Sequence, residues 1–118
     1  MKNSNLIKKY PKILKNGVCC GDGWYWVLDN LCYLLQWDTD NNHHPQLVAS
    51  QVKEKYGTLR FYTYGCNERQ QGMINFAERL SSIVCENCGS MNKVKQTKGW
   101  VITLCEKCMM EHQKKQKG

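Results

Sequence analysis

Four cysteines in two pairs constrain this chain more than any other feature: Cys85-x2-Cys88 and Cys105-x2-Cys108, with sixteen residues between the pairs. Two thiolates three residues apart can hold one ion from a tight turn. An intervening hairpin then brings a second such pair to the other side of a tetrahedron. The spacing lies in the range of four-cysteine zinc sites. Two disulfides or four free thiols are the competing use of the same residues, and compartment decides between them. The lysine-bearing start, MKNSNLIKKYPKILKNG, has no apolar stretch of signal-peptide length. No run approaches the ~18 apolar residues of a membrane helix. The expectation is a soluble, cytoplasmic protein without membrane contact, where thiols stay reduced and paired cysteines bind metal. At 118 residues the chain can bury only one modest core, so one structural Zn(2+) would supplement it.

Within the ribbon, Gly89 suits a knuckle that needs a positive φ, whereas the second knuckle, CEKCM, lacks the glycine. Lys93 to Gln96 run outward, Thr97-Lys98-Gly99 turn, and Trp100 to Leu104 return with strand-like alternation. Four thiolates leave no coordination position open for water or substrate, so the expected metal is structural.

Upstream, Asp22 is placed to cap a helix whose apolar positions Trp24, Val27, Leu28, Leu31, Leu34 and Leu35 recur at helical spacing. LVASQVKEKYGTLRFYTYG reads as a hairpin turning near Tyr56-Gly57-Thr58. Val48, Ser50 and Val52 alternate on one arm, and Leu59, Phe61 and Thr63 on the other. A second amphipathic helix, roughly 67–84, collects Met73, Ile74, Ala77, Leu80 and Val84 on one face and leads into Cys85. The architecture is therefore α+β: a small single domain with two amphipathic helices, a β-hairpin and a C-terminal zinc ribbon. Its parts are a basic N-terminal segment (1–20), a helix–hairpin–helix core (21–84), the ribbon packed on it (85–108) and a flexible basic tail (109–118).

GDGW at 21–24, QVKEKYGTLRFYTY at 51–64, FAERLSS at 76–82, CENCG at 85–89 and GWVITLCEKC at 99–108, in that order, resemble a family of small zinc-ribbon proteins encoded by bacteriophages and prophages. The resemblance covers residues 21 to 108. It departs at Tyr56, where phenylalanine is usual, and in the cysteine- and histidine-rich N-terminal half. It implies a phage accessory protein working in a bacterial cytoplasm, and it brings no biochemical activity with it.

Activity must come from the residues. The formal charge is +7, concentrated at the two ends, with residues 21–50 acidic. Such a distribution favours phosphate-rich partners. The hairpin offers Lys53, Lys55 and Arg60 beside Tyr56, Tyr62 and Tyr64, and the ribbon offers Lys93, Lys95 and Lys98 near Trp100. Cations interleaved with aromatics can hold phosphates while rings stack on bases. Equally, lysines line solvated strand faces and aromatics fill cores. Arginine and tyrosine also dominate the energetic centres of protein interfaces. Lys53, Lys55, Tyr56, Arg60, Tyr62, Lys93, Lys95 and Lys98 are thus the candidate partner-binding residues.

No phosphate-cradling glycine loop is present, and Asp38 and Asp40 sit in what reads as a polar loop. A second metal site drawn from Cys19, Cys20, Cys32, Cys66, His43, His44 and His112 lacks ligand spacing; Cys32, among apolar neighbours, reads as a buried hydrophobe. The expectation is a non-enzymatic protein. It would bind and modulate a host protein or nucleoprotein complex, a defence or transcription component, as an inhibitor. The alternative is a direct nucleic-acid or nucleotide binder.

Overall fold

The computed structural model describes residues 2–117 and is α+β. In chain order it contains α1 (Asn3–Lys9), α2 (Tyr25–Asn41), preceded by a 3-10 turn at Asp22–Trp24, then β1 (Val48–Lys55) and β2 (Thr58–Tyr64). α3 (Glu68–Ser81) follows, then the two-residue strands β3 (Lys95–Gln96) and β4 (Thr103–Leu104), and α4 (Glu106–Lys117).

The hairpin turns as its sequence requires. Tyr56 and Gly57 both have positive φ (54° and 81°), the two-residue turn whose twist matches that of the flanking strands. Lys55 pairs with Thr58, Lys53 with Arg60 and Val52 with Phe61. The expected alternation on the first arm does not hold. The register shifts between Ala49 and Gln51, a bulge at Ser50, so Ala49 and Val52 are buried while Val48 is not. A single inserted residue reverses which face each side chain meets.

Both edges of this two-stranded sheet are occupied. Along β1, Ala49 N–H donates to the Ile13 carbonyl, Cys19 N–H to the Val52 carbonyl, and the Asn16 amide to the Ala49 carbonyl. Along β2, Leu59 N–H donates to Ser81 Oγ at 2.8 Å and Phe61 N–H to Glu78 Oε2 at 2.9 Å, both from α3. Residues 3–20 are therefore structural. Leu6, Ile13 and Leu14 are fully buried in the same core as Trp24, Leu28, Leu35, Leu59 and Phe61.

Two further expectations change. Asp22 does not cap α2; its Oδ1 accepts the Asn3 backbone N–H at 2.9 Å, satisfying the first turn of α1 instead. Leu34 lies outside the core and is 45% exposed. Most of the basic tail lies in a helix that runs from Glu106 to Lys117.

α3 starts at a capping box. Asn67 Oδ1 accepts Gln70 N–H while Gln70 Oε1 accepts Asn67 N–H. The Asn67 amide also donates to Asp38, which lies in α2 rather than in a loop and is 1% exposed. Asp38 further accepts from Asn42 and Arg69. These bonds, with the Asn67 amide foremost, hold the Asp38 carboxyl down at about 2 against the opposing effect of burial.

Candidate metal centre

The four sulfurs of Cys85, Cys88, Cys105 and Cys108 lie within 4.8 Å of one another. Cys88 Sγ and Cys105 Sγ are 3.7 Å apart. A tetrahedral ion with sulfur ligands at about 2.3 Å requires an edge of about 3.8 Å, so the cluster fits zinc. Among the described residues no other group of histidine, cysteine or carboxylate side chains converges in this way. Cys32 is buried, and burial pushes its thiol up to about 12. Cys20 is raised likewise, Cys19 is exposed, and Cys66 hydrogen-bonds to Gln71.

The two cysteine pairs are built differently. Cys85 and Cys88 form the anticipated turn: Gly89 has φ 86°, its N–H donates to the Cys85 carbonyl, and Cys85 N–H donates to Ser90 O. The second pair sits at a helix start. Cys105 immediately precedes α4, Cys108 lies in its first turn, and Met109 N–H closes a helical bond to the Cys105 carbonyl. A continuing helix needs no positive φ after Cys108, which explains the missing second glycine.

The thiols are supported by donors. Cys108 N–H points at Cys105 Sγ (3.5 Å) and chiefly accounts for a Cys105 thiol lowered to about 7, while the Asn87 amide donates to Cys108 Sγ at 3.3 Å. Burial pushes Cys108 in the other direction, to about 12. Four sulfurs this close cannot all ionise without a cation among them, so the cluster could hold a metal ion.

The ribbon is tied to the helical core. Gly23 N–H donates to the Glu86 carbonyl at 2.7 Å, and the fully buried Trp24 donates from its indole to the Val84 carbonyl at 2.9 Å. Gly21 N–H meets Glu86 Oε2, and Trp26 Nε1 meets the Gly89 carbonyl. GDGW is thus the seat on which the first cysteine knuckle rests. The hairpin tip reaches the ribbon too: Thr103 Oγ1 donates to the Gly57 carbonyl.

The partner-binding candidates fall into two groups joined at that contact. On the hairpin, Lys53 and Arg60 stand directly opposite each other on the face away from Val52, Leu59 and Phe61. Among the described residues neither they nor Lys55 make a salt bridge, and Arg60 Nε is buried with no hydrogen-bond partner. Tyr56 (74% exposed) and Tyr62 project to solvent, with Lys55 Nζ 5.8 Å from the Tyr56 ring. On the ribbon, Lys95, Lys98 and Trp100 are exposed, whereas Lys93 pairs with Glu106 at 3.3 Å. Sequence periodicity could not show the opposition of Lys53 and Arg60, because it depends on the hairpin register.

No family model, no curated protein and no solved structure matches the chain.

Proposed function

We propose that the chain is a non-enzymatic binding module whose single zinc ion, held by Cys85, Cys88, Cys105 and Cys108, is structural. Its work is to dock on an acidic face of a host protein or nucleoprotein complex and alter it. The zinc supplies folding free energy to the ribbon and no chemistry. One observation carries the reading: Lys53 opposite Arg60, with the arginine Nε buried and unpaired. Like charges directly opposite on a hairpin destabilise it, as does an unsatisfied buried donor. Local violations of this kind concentrate where a surface serves a partner. The resemblance to phage ribbon proteins supports a host defence or transcription component in a bacterial cytoplasm as the target. Among the described residues no helix is long and apolar enough to cross a membrane, which is compatible with that setting.

The test is affinity capture from a bacterial lysate with tagged, zinc-loaded protein, before and after nuclease, alongside Arg60→Ala. A protein retained after nuclease by the wild type and lost by Arg60→Ala supports the reading. Equal recovery by both sinks it.

A second reading, direct binding of single-stranded nucleic acid, has its own observation: Tyr56, Tyr64 and Trp100 are all more than two-thirds exposed, and Lys55 Nζ lies 5.8 Å from the Tyr56 ring. It requires oligonucleotide affinity that falls steeply with salt and is weakened by Lys95→Glu. No binding at low salt removes it.

A further inference from the structure

Hairpin turns ordinarily face water, yet Gly57 is buried, because the ribbon lies against it. A Cβ at Gly57 would stand 2.9 Å from both Thr103 Oγ1 and Val101 Cγ1. Its neighbour Tyr56 is 74% exposed. The turn is therefore pinned at one residue and offers the next to solvent.

Thr103 makes the joint. It is fully buried and stands two residues before Cys105. Its hydroxyl donates to the Gly57 carbonyl and accepts from the Gln96 amide at 3.3 Å. Its own carbonyl accepts the Glu86 N–H at 3.0 Å, and Glu86 follows Cys85. One side chain thus connects both cysteine pairs to the turn that carries Tyr56. Little else holds that turn. Gly57 N–H donates to Glu54 and the Thr58 hydroxyl to the Lys55 carbonyl, both within the hairpin. Among the described residues, no hydrogen bond other than that from Thr103 ties residues 55–58 to the rest of the chain. A two-stranded hairpin is marginal when left to its own pairing.

We infer that metal occupancy of the four-cysteine cluster sets the order of the hairpin tip through Thr103, so that the surface around Lys55 and Tyr56 forms in the metal-loaded protein and is lost without metal. The inference rests on the reading of the zinc as structural and of the hairpin as a binding face, and it gives that face a switch. The ribbon is the two-state element: a four-thiolate site and the fold around it form together, and removing the ion unfolds both. With the ribbon unfolded, Thr103 and Val101 leave the tip and the Gly57 carbonyl loses its donor. Thr103 is a positioning residue, acting on the face through Gly57.

The test follows backbone amide hydrogen exchange at residues 55–58 in wild type, Thr103→Val and Thr103→Ser, each zinc-loaded and after chelation. Metal removal is expected to quicken exchange in wild type by at least about fivefold, the size of effect that one net hydrogen bond gives. Thr103→Val keeps the shape but has no hydroxyl. With zinc bound, its tip already exchanges about fivefold faster than wild type, and chelation adds less than it does in wild type. Thr103→Ser restores the hydroxyl and matches wild type. A wild-type tip indifferent to metal overturns the inference, as does a Thr103→Val tip that is as protected, or as responsive to metal, as wild type. A serine variant as fast as the valine variant overturns the role of the hydroxyl. If Thr103→Val does not hold zinc, the wild-type comparison decides alone. A protein that binds no zinc refutes the structural-metal reading, whereas a zinc-loaded protein whose tip ignores the metal refutes only this coupling. Arg60→Ala capture is scored apart from both.

Discussion

Gly23→Ala tests the seat beneath the zinc knuckle. A Cβ at Gly23 would stand 2.5 Å from the carbonyl carbon and oxygen of Glu86, and closer still to the Cys85 carbonyl oxygen. These are backbone atoms, so no rotamer change relieves the clash. Ordinary contact begins near 3.4 Å, and the ribbon must therefore withdraw by about 1 Å. Withdrawal breaks the Gly23 N–H to Glu86 bond, worth about 1 kcal/mol, and adds overpacking strain of about 1–3 kcal/mol. The total, roughly 2–4 kcal/mol, lowers the melting temperature by roughly 10 °C in a chain of this size. Because Cys85 belongs to the same displaced backbone, zinc retention against a competing chelator falls with it, by about a hundredfold for ~2.7 kcal/mol. Gly72→Ala is the control: with open space and helical backbone, it gains up to about 1 kcal/mol. A Gly23→Ala protein that melts with the wild type and keeps zinc equally well would refute the reasoning.

Cys88→Ser, or exhaustive chelation, is expected to unfold the ribbon and loosen α3, read as lost helical signal and one zinc fewer per chain. Unchanged stability without metal contradicts it. Asp38 has a folded value near 2 against 3.8 unfolded, so its contribution is present above about pH 4 and disappears as pH falls toward 2. Urea titrations should show about 1 kcal/mol lost by about pH 3 and about 2 kcal/mol by about pH 2, a limb that Asp38→Asn flattens. Arg60→Ala relieves a like-charge opposition, so it leaves stability within about 0.5 kcal/mol of wild type or raises it, while partner capture disappears. Tyr62→Ala, at a 43% exposed position, loses capture with little effect on melting; a large drop in melting temperature would identify Tyr62 as scaffold.

The four-cysteine cluster was legible because its signal is local: residue identity and spacing survive without knowledge of the rest of the chain. The same locality explains α2, α3 and the turn at Tyr56-Gly57. What the sequence concealed depended on register or on distant partners. The bulge at Ser50 is one added residue with no compositional mark, and it exchanged Val48 for Ala49 in the core. Leu6, Ile13 and Leu14 lie among five lysines, so their charge hid three fully buried side chains. Asp22 carries a capping residue's chemistry, but which helix it caps depends on a contact nineteen positions away. α4 was missed because EHQKKQKG contains no apolar residue, although CEKCMM just before it starts the helix.

The occupied edges of the hairpin decide how it can be read by another molecule. With Ile13 and Cys19 bonded along β1, and Ser81 and Glu78 bonded along β2, an incoming strand finds no free row of donors and acceptors at those positions. Strand addition depends on backbone and is largely indifferent to sequence; a hairpin closed to it is recognised through its side chains alone. On the proposed reading, specificity would then be set by a few exchangeable groups at Lys53, Lys55, Arg60 and Tyr62, none of them in the core. This face could, on that reading, be retuned one substitution at a time while the scaffold beneath it stayed as it is.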